Sequence, residues 1–79
     1  MRPTIARVSL PVPLDRSFDY LIPAHLFPVI GGRVAVPFGP KTLIGIVTGF
    51  ASESEFDKLK SVKEVLDHER FGPSLYFSY

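Results

Sequence analysis

The sequence predicts a mostly β domain: a small β-barrel or sandwich of about five short strands, with a helix beginning at its C-terminal end. Three observations lead to this fold class. Apolar residues alternate with polar ones over short stretches, which is typical of half-buried strands. Glycine and proline turn signals separate these stretches. The chain has 79 residues, enough for one domain only.

Four stretches carry the strand pattern: IARVSL (5–10), SFDYLIP (17–23), RVAVPFG (33–39) and LIGIVTGF (43–50). In the second stretch, alternation points Phe18 and Tyr20 to one face of the strand. Asp19 and Leu21 then point to the other face. In the third stretch, Pro37 is expected to end the hydrogen-bonded ladder because proline has no backbone N–H group.

Glycines mark the remaining turns and irregularities. Gly31 and Gly32 form a turn signal before the third strand. Gly39 lies in a predicted turn, FGPK, where it can adopt backbone angles that a side chain would forbid. Inside the fourth strand, Gly45 and Gly49 indicate a bulge, a bend or the close approach of another group.

The segment FDKLKSVKEVLDHE (56–69) has two interpretations. Phe56, Leu59, Val62 and Leu66 recur every three or four residues, which slightly favours a helix. The same residues also fit a strand in which Val62 and Leu66 share one face. We expect residues 1–70 to form the β domain, and residues 71–79 to begin a following helix or linker. The apolar, aromatic ending SLYFSY suggests the N-terminal piece of a longer protein.

Composition limits the classes of function. The chain is 46% hydrophobic and 22% charged, which is typical of a globular domain. It contains no cysteine, which excludes disulfides and thiolate metal sites. No apolar run reaches membrane-spanning length, and a signal-peptide pattern is missing, so we expect a cytoplasmic protein. The net charge of +1 is low for a protein with many phosphate contacts; any nucleic acid bound should be short.

The residues predict binding rather than catalysis. His25 and His68 are isolated, and no glycine-rich phosphate loop or metal-ligand spacing is present, so we expect no metal or cofactor. The chemistries that a single nucleotide needs do occur: an aromatic face, a carboxylate, an unhindered backbone turn and an ammonium group. They are supplied by Phe18, Asp19, Tyr20, Gly39 and Lys60. Ordinary structural roles also fit each of them, and for the two aromatics the residues alone favour the core.

Four motifs in order resemble a known family: VSLPVPLDRSFDYLIP, GGRVAVPFG, LIGIVTG and LKSVKEVLD. Together they are similar to the N-terminal domain of the PriA family of primosomal, replication-restart DNA helicases, over about residues 5–67. The resemblance implies a strand at LKSVKEVLD. It also implies a pocket that binds the 3′ end of the nascent leading strand at an arrested fork, whatever the terminal base.

The resemblance assigns roles to the five residues. It implies that Asp19 hydrogen-bonds the terminal base, and that Phe18, Tyr20, Gly39 and Lys60 line the pocket around the sugar and the last phosphate. The parent protein is then expected to be an ATP-dependent 3′–5′ helicase that uses Mg²⁺ and zinc outside this fragment, which itself has no catalytic residue. Expected partners are DNA with a free 3′ end, forked DNA, the helicase core of the same chain, other primosome proteins and single-stranded DNA-binding protein, but no membrane.

Two other functions remain open from the sequence. The domain could be an SH3-like interaction barrel in which Phe18, Tyr20 and Phe38 form an aromatic groove for an extended peptide. Alternatively, it could be a purely structural cap on a motor domain, with no ligand and with apolar surface exposed near residues 71–79.

Overall fold

The computed structural model describes residues 3–54 and 58–67, which form five β-strands. In chain order these are β1 Ile5–Ser9, β2 Phe18–Leu21, β3 Arg33–Phe38, β4 Lys41–Ala51 and β5 Glu64–Val65. The strands form one sheet in the order β2-β1-β4-β3-β5, and each neighbouring pair is antiparallel. The predicted β class and strand number are confirmed. The expected helix start at 71–79 and the boundary at residue 70 lie outside the described residues.

Residues 60–66 close this sheet into a barrel, the first of the two predicted architectures. Towards β2, the Leu21 N–H donates to the Lys60 carbonyl, and the Val62 N–H donates to the Leu21 carbonyl, both at 2.9 Å. Towards β3, the Lys63 N–H donates to the Ala35 carbonyl at 2.8 Å. The Leu21–Ser61 bridge is parallel. It has to be, because five strands of alternating direction leave the first and the last running the same way.

The slight preference for a helix at 56–69 is wrong for the part that the structure describes. The strand interpretation, which the family resemblance implied, is confirmed by β5. Val62 and Val65 are both buried, at 2% and 5% exposure. Their three-residue spacing arises because the segment changes partner: Ser61 bridges to β2, whereas Glu64–Val65 pairs with β3. A strand that changes partner can imitate helical spacing.

The end of this segment is held by a charged pair. The Arg33 side chain donates twice to the Asp67 carboxylate, from Nε to Oδ2 at 2.9 Å and from Nη2 to Oδ1 at 3.1 Å. The Arg33 backbone N–H also donates to Oδ2, at 2.9 Å. The hydrogen bond and the charge of Asp67 raise the pKa of Arg33. Bidentate, charge-assisted bonds of this kind fix geometry, here that of residue 67 against the start of β3.

The barrel interior is packed with small branched side chains. Val8, Val34, Val36 and Val47 are the largest fully buried side chains in the described chain. The other members of the core cluster are Ala6, Leu10, Tyr20, Val62 and Val65. Every strand contributes, as the alternation of apolar residues requires. Across the described residues, the structure contains no helix long and apolar enough to cross a membrane.

Pro37 does not end β3, contrary to expectation. The strand continues to Phe38, and Pro37 pairs with Thr42. The Val47 N–H donates to the Gly32 carbonyl at 3.0 Å, which makes the next pair, Arg33–Ile46, a non-hydrogen-bonded one. By alternation, Pro37–Thr42 is also non-hydrogen-bonded. The missing N–H of Pro37 therefore costs no bond to β4.

The two glycines of β4 have different roles. Across β1 the register shifts, with Arg7 opposite Gly49 and Val8 opposite Val47, so Thr48 is the extra residue of a bulge. Gly45 instead allows close packing. A Cβ atom there would lie 2.7 Å from Leu10 Cδ2 and 2.8 Å from the Ser9 carbonyl oxygen, and would also collide with Val8. Both outcomes are among those that the sequence predicted.

We expect Gly45→Ala to destabilise the domain by about 1–3 kcal/mol, because the added methyl group overpacks the contact between β1 and β4. Gly49→Ala is the matched control: its Cβ would meet nothing within 4 Å, so the change should be nearly neutral. Urea unfolding followed by circular dichroism measures both free energies of unfolding. Equal stability of the two variants would contradict the packing explanation.

Candidate functional site

All five residues selected from the sequence line one cavity. Phe18, Asp19, Tyr20, Gly39 and Lys60 surround an open hollow of ≈ 230 Å³ between the β2 edge, the β3–β4 turn and residues 58–60. They come from three separate parts of the chain. Their convergence is a property of the tertiary structure, since sequence spacing gives no distance between them.

The cavity lies where the barrel closure is incomplete. Residues 60–62 bond to β2 at Leu21. Towards Phe18, β2 is paired with β1 alone within the described chain. A sheet edge of this kind presents its backbone groups as well as its side chains, so successive residues of β2 border the same hollow. This explains why Asp19 lines the cavity together with Phe18 and Tyr20, although alternation points its side chain to the other face.

Phe18 is half-buried and forms one wall. Its ring meets that of Phe38 nearly at right angles, with centroids 5.3 Å apart and an interplanar angle of 89°. The Arg16 guanidinium lies 4.6 Å from the Phe18 ring centroid, within the range of a cation–π contact. Phe18 and Phe38 thus form an aromatic wall, and the planar Arg16 cation extends it.

Tyr20 is a core residue that also reaches the cavity. It is 5% exposed, and its hydroxyl donates to the Pro37 carbonyl at 2.8 Å. Burial raises the pKa of the Tyr20 phenol. The core role that the residues alone favoured is thus correct for Tyr20, whose hydroxyl ties β2 to β3 below the cavity.

The Asp19 carboxylate is held in place by two neighbours. The Ser54 hydroxyl donates to Asp19 Oδ2 at 2.7 Å, and Arg7 Nε lies 3.8 Å from Oδ1. Arg7 is the cross-strand partner of Asp19 on β1, and its side chain is 54% exposed, so this ion pair contributes less than about 1 kcal/mol to stability. Both contacts serve to orient the Asp19 carboxylate.

Gly39 opens the cavity at the β3–β4 turn. Its φ is 59°, and Pro40 follows it between the paired residues Phe38 and Lys41. A positive φ at the first central residue, followed by proline, is the pattern of a type II′ hairpin turn. The predicted backbone freedom of Gly39 is confirmed. A Cβ atom at Gly39 would meet nothing within 4 Å, so the main chain there is accessible to a ligand.

Cations dominate the rim. Lys60 is exposed, while its carbonyl accepts the closing hydrogen bond from Leu21. Arg16 and Lys58 also line the cavity but were not selected from the sequence. Both had a signal: Arg16 begins the RSFDY motif, and Lys58 lies two residues before Lys60 in the sequence. Among the described lining residues, three cations against one carboxylate favour an anionic ligand.

Comparison with known proteins identifies the family. Residues 7–77 match the PriA 3′ DNA-binding domain (3′BD) family. The chain belongs to this family. It is 40% identical to the replication restart protein PriA of Haemophilus influenzae over 77 residues, which make up 95% of this chain and 10% of that protein. It is 52% identical to PriA of Bacillus subtilis over 56 residues, which make up 68% of this chain and 7% of that protein.

A third relative gives the same result. Replication restart protein PriA of Buchnera aphidicola (Acyrthosiphon pisum symbiont) is 42% identical over 67 residues, 82% of this chain and 9% of that protein. The chain therefore spans about a tenth of the length of the relatives it matches. The family resemblance drawn from the four sequence motifs is confirmed.

The raised pKa of Tyr20 predicts a loss of stability at alkaline pH. Because the folded-state pKa lies above the ordinary value of 10.0, the folded state holds the phenol proton more tightly than the unfolded chain. Stability from this group is complete below pH 10 and is lost as pH rises through the folded-state pKa. Tyr20→Phe should be about 1 kcal/mol less stable at pH 8, because it loses the bond to Pro37.

The pH dependence isolates Tyr20, because the variant and the unmodified chain differ only in the phenol group. Between pH 8 and pH 11, urea midpoints of the Tyr20→Phe variant should fall less than those of the unmodified chain. Parallel curves for the two proteins would mean that Tyr20 does not contribute to alkaline unfolding.

Proposed function

We propose that this domain binds the 3′ terminus of a DNA strand, with the terminal nucleotide in the cavity. The observation that carries the proposal is the convergence of Phe18, Asp19, Gly39 and Lys60 on one hollow, in a chain of the PriA 3′ DNA-binding domain family. As the relatives are named replication restart proteins, we infer that the domain acts in replication restart.

Each part of a nucleotide has a matching group in the cavity. The base lies against the Phe18 wall; such stacking contributes about 1–3 kcal/mol per base. The oriented Asp19 carboxylate accepts a hydrogen bond from the base, and the uncovered backbone at Gly39 receives sugar oxygens. Lys60, with Lys58 beside it, attracts the last phosphate. Three cations on the rim suit one or two phosphates rather than a long duplex.

The size of the cavity fits one nucleotide. Its ≈ 230 Å³ is below the roughly 300–1,000 Å³ of pockets for drug-sized ligands, so it suits a single nucleoside. Reading a base requires a matched set of donors and acceptors along its edge. Phe18 and Asp19 supply a flat surface and one acceptor, which supports recognition of the free 3′-hydroxyl without selection of the base.

The peptide-binding alternative is less well supported. An extended peptide binds mainly through backbone hydrogen bonds and apolar side chains, whereas cations line this hollow. The Tyr20 hydroxyl, which such a groove would offer to a peptide, is already bonded to Pro37. A ligand-free structural cap leaves the cationic rim unexplained.

The proposal also extends to the parent protein. We infer that the parent is an ATP-dependent 3′–5′ helicase of the bacterial cytoplasm, with ATP, Mg²⁺ and zinc bound outside this fragment. The domain itself would supply no catalytic group. Its partners would be forked DNA with a free 3′ end, the helicase core of the same chain, other primosome proteins and single-stranded DNA-binding protein.

Binding should depend on the chemistry of the 3′ end. An anisotropy titration compares fluorescent oligonucleotides that end in a 3′-hydroxyl with the same sequences ending in a 3′-phosphate. We expect about tenfold or more weaker binding of the phosphate form, because a 3′-phosphate lacks the free hydroxyl that can donate a hydrogen bond in the site, and similar affinities for the four terminal bases. Equal affinity for both ends would refute recognition of the terminus.

Loss of Lys60 should weaken binding through the phosphate. We expect Lys60→Ala to lower the affinity about tenfold and to reduce the salt dependence by about 0.7 in log–log slope, the value for one single-strand phosphate contact. Lys63→Ala is the matched control: Lys63 bonds to Thr42 and lies outside the cavity lining. A peptide groove predicts that Lys60→Ala is tolerated, and equal effects of the two variants would argue for non-specific attraction.

A further inference from the structure

A second cavity adjoins the proposed 3′-end site. Its volume is ≈ 380 Å³, and it lies beside the first. Leu59 lines both cavities. The hydrogen bond from Ser54 to Asp19, at 2.7 Å, also joins them, since Ser54 lines the second cavity and Asp19 the first. A ligand that fills the first cavity and continues beyond Leu59 therefore meets the second one.

The polar lining of the second cavity consists of hydroxyl groups and one carboxylate. The Thr4 and Ser54 hydroxyls already donate, to the Ser52 carbonyl and to Asp19, so they can accept from a ligand, whereas Ser52 can donate and accept. Glu53 is the only charged residue among the described residues that line it. The described part of this lining, with a carboxylate and without a cation, repels a phosphate, whereas hydroxyls and a carboxylate suit the mixed donors and acceptors of a nucleobase edge.

The apolar lining completes a surface for a flat ring. Ile5, Leu21 and Leu59 supply it, and Leu21 is 40% exposed, which is high for an aliphatic side chain at the point where the barrel closes. Burial of such a surface against a base is favourable. The described linings of the two cavities thus differ in charge. Cations border the first, and neutral and apolar groups line most of the second.

The position of the lysines matches this division. Lys58 and Lys60 flank Leu59 in sequence, and both line the first cavity. A phosphate that links two nucleotides across Leu59 would lie near these two lysines. The base that follows it would then lie over the second cavity.

We propose that the second cavity is a subsite for the penultimate base of the bound strand. The proposal rests on the function proposed above, and it extends that function from a one-nucleotide pocket to a two-nucleotide site. Its contacts are a stacking surface on Leu21 and Leu59 and hydrogen bonds to the hydroxyls of Thr4 and Ser52.

The test compares dinucleotides that share an intact 3′-terminal nucleotide with a free 3′-hydroxyl. One carries a normal penultimate base, and the other has an abasic sugar at that position. Isothermal titration with the 79-residue chain should show binding of the abasic form weaker by fivefold or more, which corresponds to the lower end of the energy of stacking one base. The phosphate and both sugars are unchanged, so the difference reports the base alone.

A variant that blocks the second cavity tests whether the penultimate base binds there. Ser52 is exposed and lines only the second of the two cavities, so Ser52→Trp should fill that cavity and leave the first untouched. We expect it to abolish the difference between the two dinucleotides while the preference for a 3′-hydroxyl over a 3′-phosphate remains. Ser9→Trp, on an exposed position of β1 that lines neither cavity, should behave like the unmodified chain. Circular dichroism confirms that both variants fold.

The outcomes separate the subsite from the function on which it rests. Equal affinity for the two dinucleotides, with the 3′-hydroxyl preference intact, would overturn the subsite and leave the terminal pocket standing. A base-dependent difference that survives Ser52→Trp would place the penultimate base elsewhere and would also overturn the subsite. If the unmodified chain shows no preference for a 3′-hydroxyl over a 3′-phosphate, the proposed terminal pocket itself is overturned.

Discussion

The structure depends on the hydrogen bonding of residues 60–66 to two strands at once. On one side these residues bond to Leu21 at the end of β2, and on the other they bond to Ala35 and Arg33 of β3. Without this segment, β2 and β3 would be the open edges of the sheet, on either side of β1 and β4. With it, the valine core is enclosed, although the chain has no disulfide and buries a small interior.

The same closure creates the cavity. Because residues 60–62 reach β2 only at Leu21, the strand edge nearer Phe18 is left beside a gap, and the β3–β4 turn borders the gap from the opposite side. Residues 58–66 therefore contribute both to stability and to the cavity. Ser61 bridges to β2, and Lys58 and Lys60, just before it in sequence, line the cavity. Tyr20 connects the two roles, since its ring lies in the core and its hydroxyl holds the Pro37 carbonyl beneath the hollow.

The positive charge at the site comes from where the cations lie in the fold rather than from the net charge of the chain. The chain as a whole carries +1, yet the described cavity lining gathers Arg16, Lys58 and Lys60 around one carboxylate, that of Asp19. Asp19 is restrained by Ser54 and Arg7, so it offers a fixed acceptor rather than a mobile charge. A small domain can in this way present a local anion-binding surface without the general basicity of proteins that cover long stretches of DNA.

The sequence by itself determined the β class, the four main strands, the turn at Gly39 and, through four ordered motifs, the family. Local patterning is sufficient for these because alternation and turn chemistry act within a few residues. The sequence pattern was misleading at Pro37, whose tolerance depends on which side of the strand its nitrogen faces. It was also misleading within residues 58–67, where a change of strand partner imitated helical spacing. Only the tertiary structure decided that Phe18, Asp19, Tyr20, Gly39 and Lys60 share a cavity, and that Arg16 and Lys58 join them. The physical reason is that these positions meet through barrel closure, and the distance between the closing strands is not encoded in the pattern of either strand.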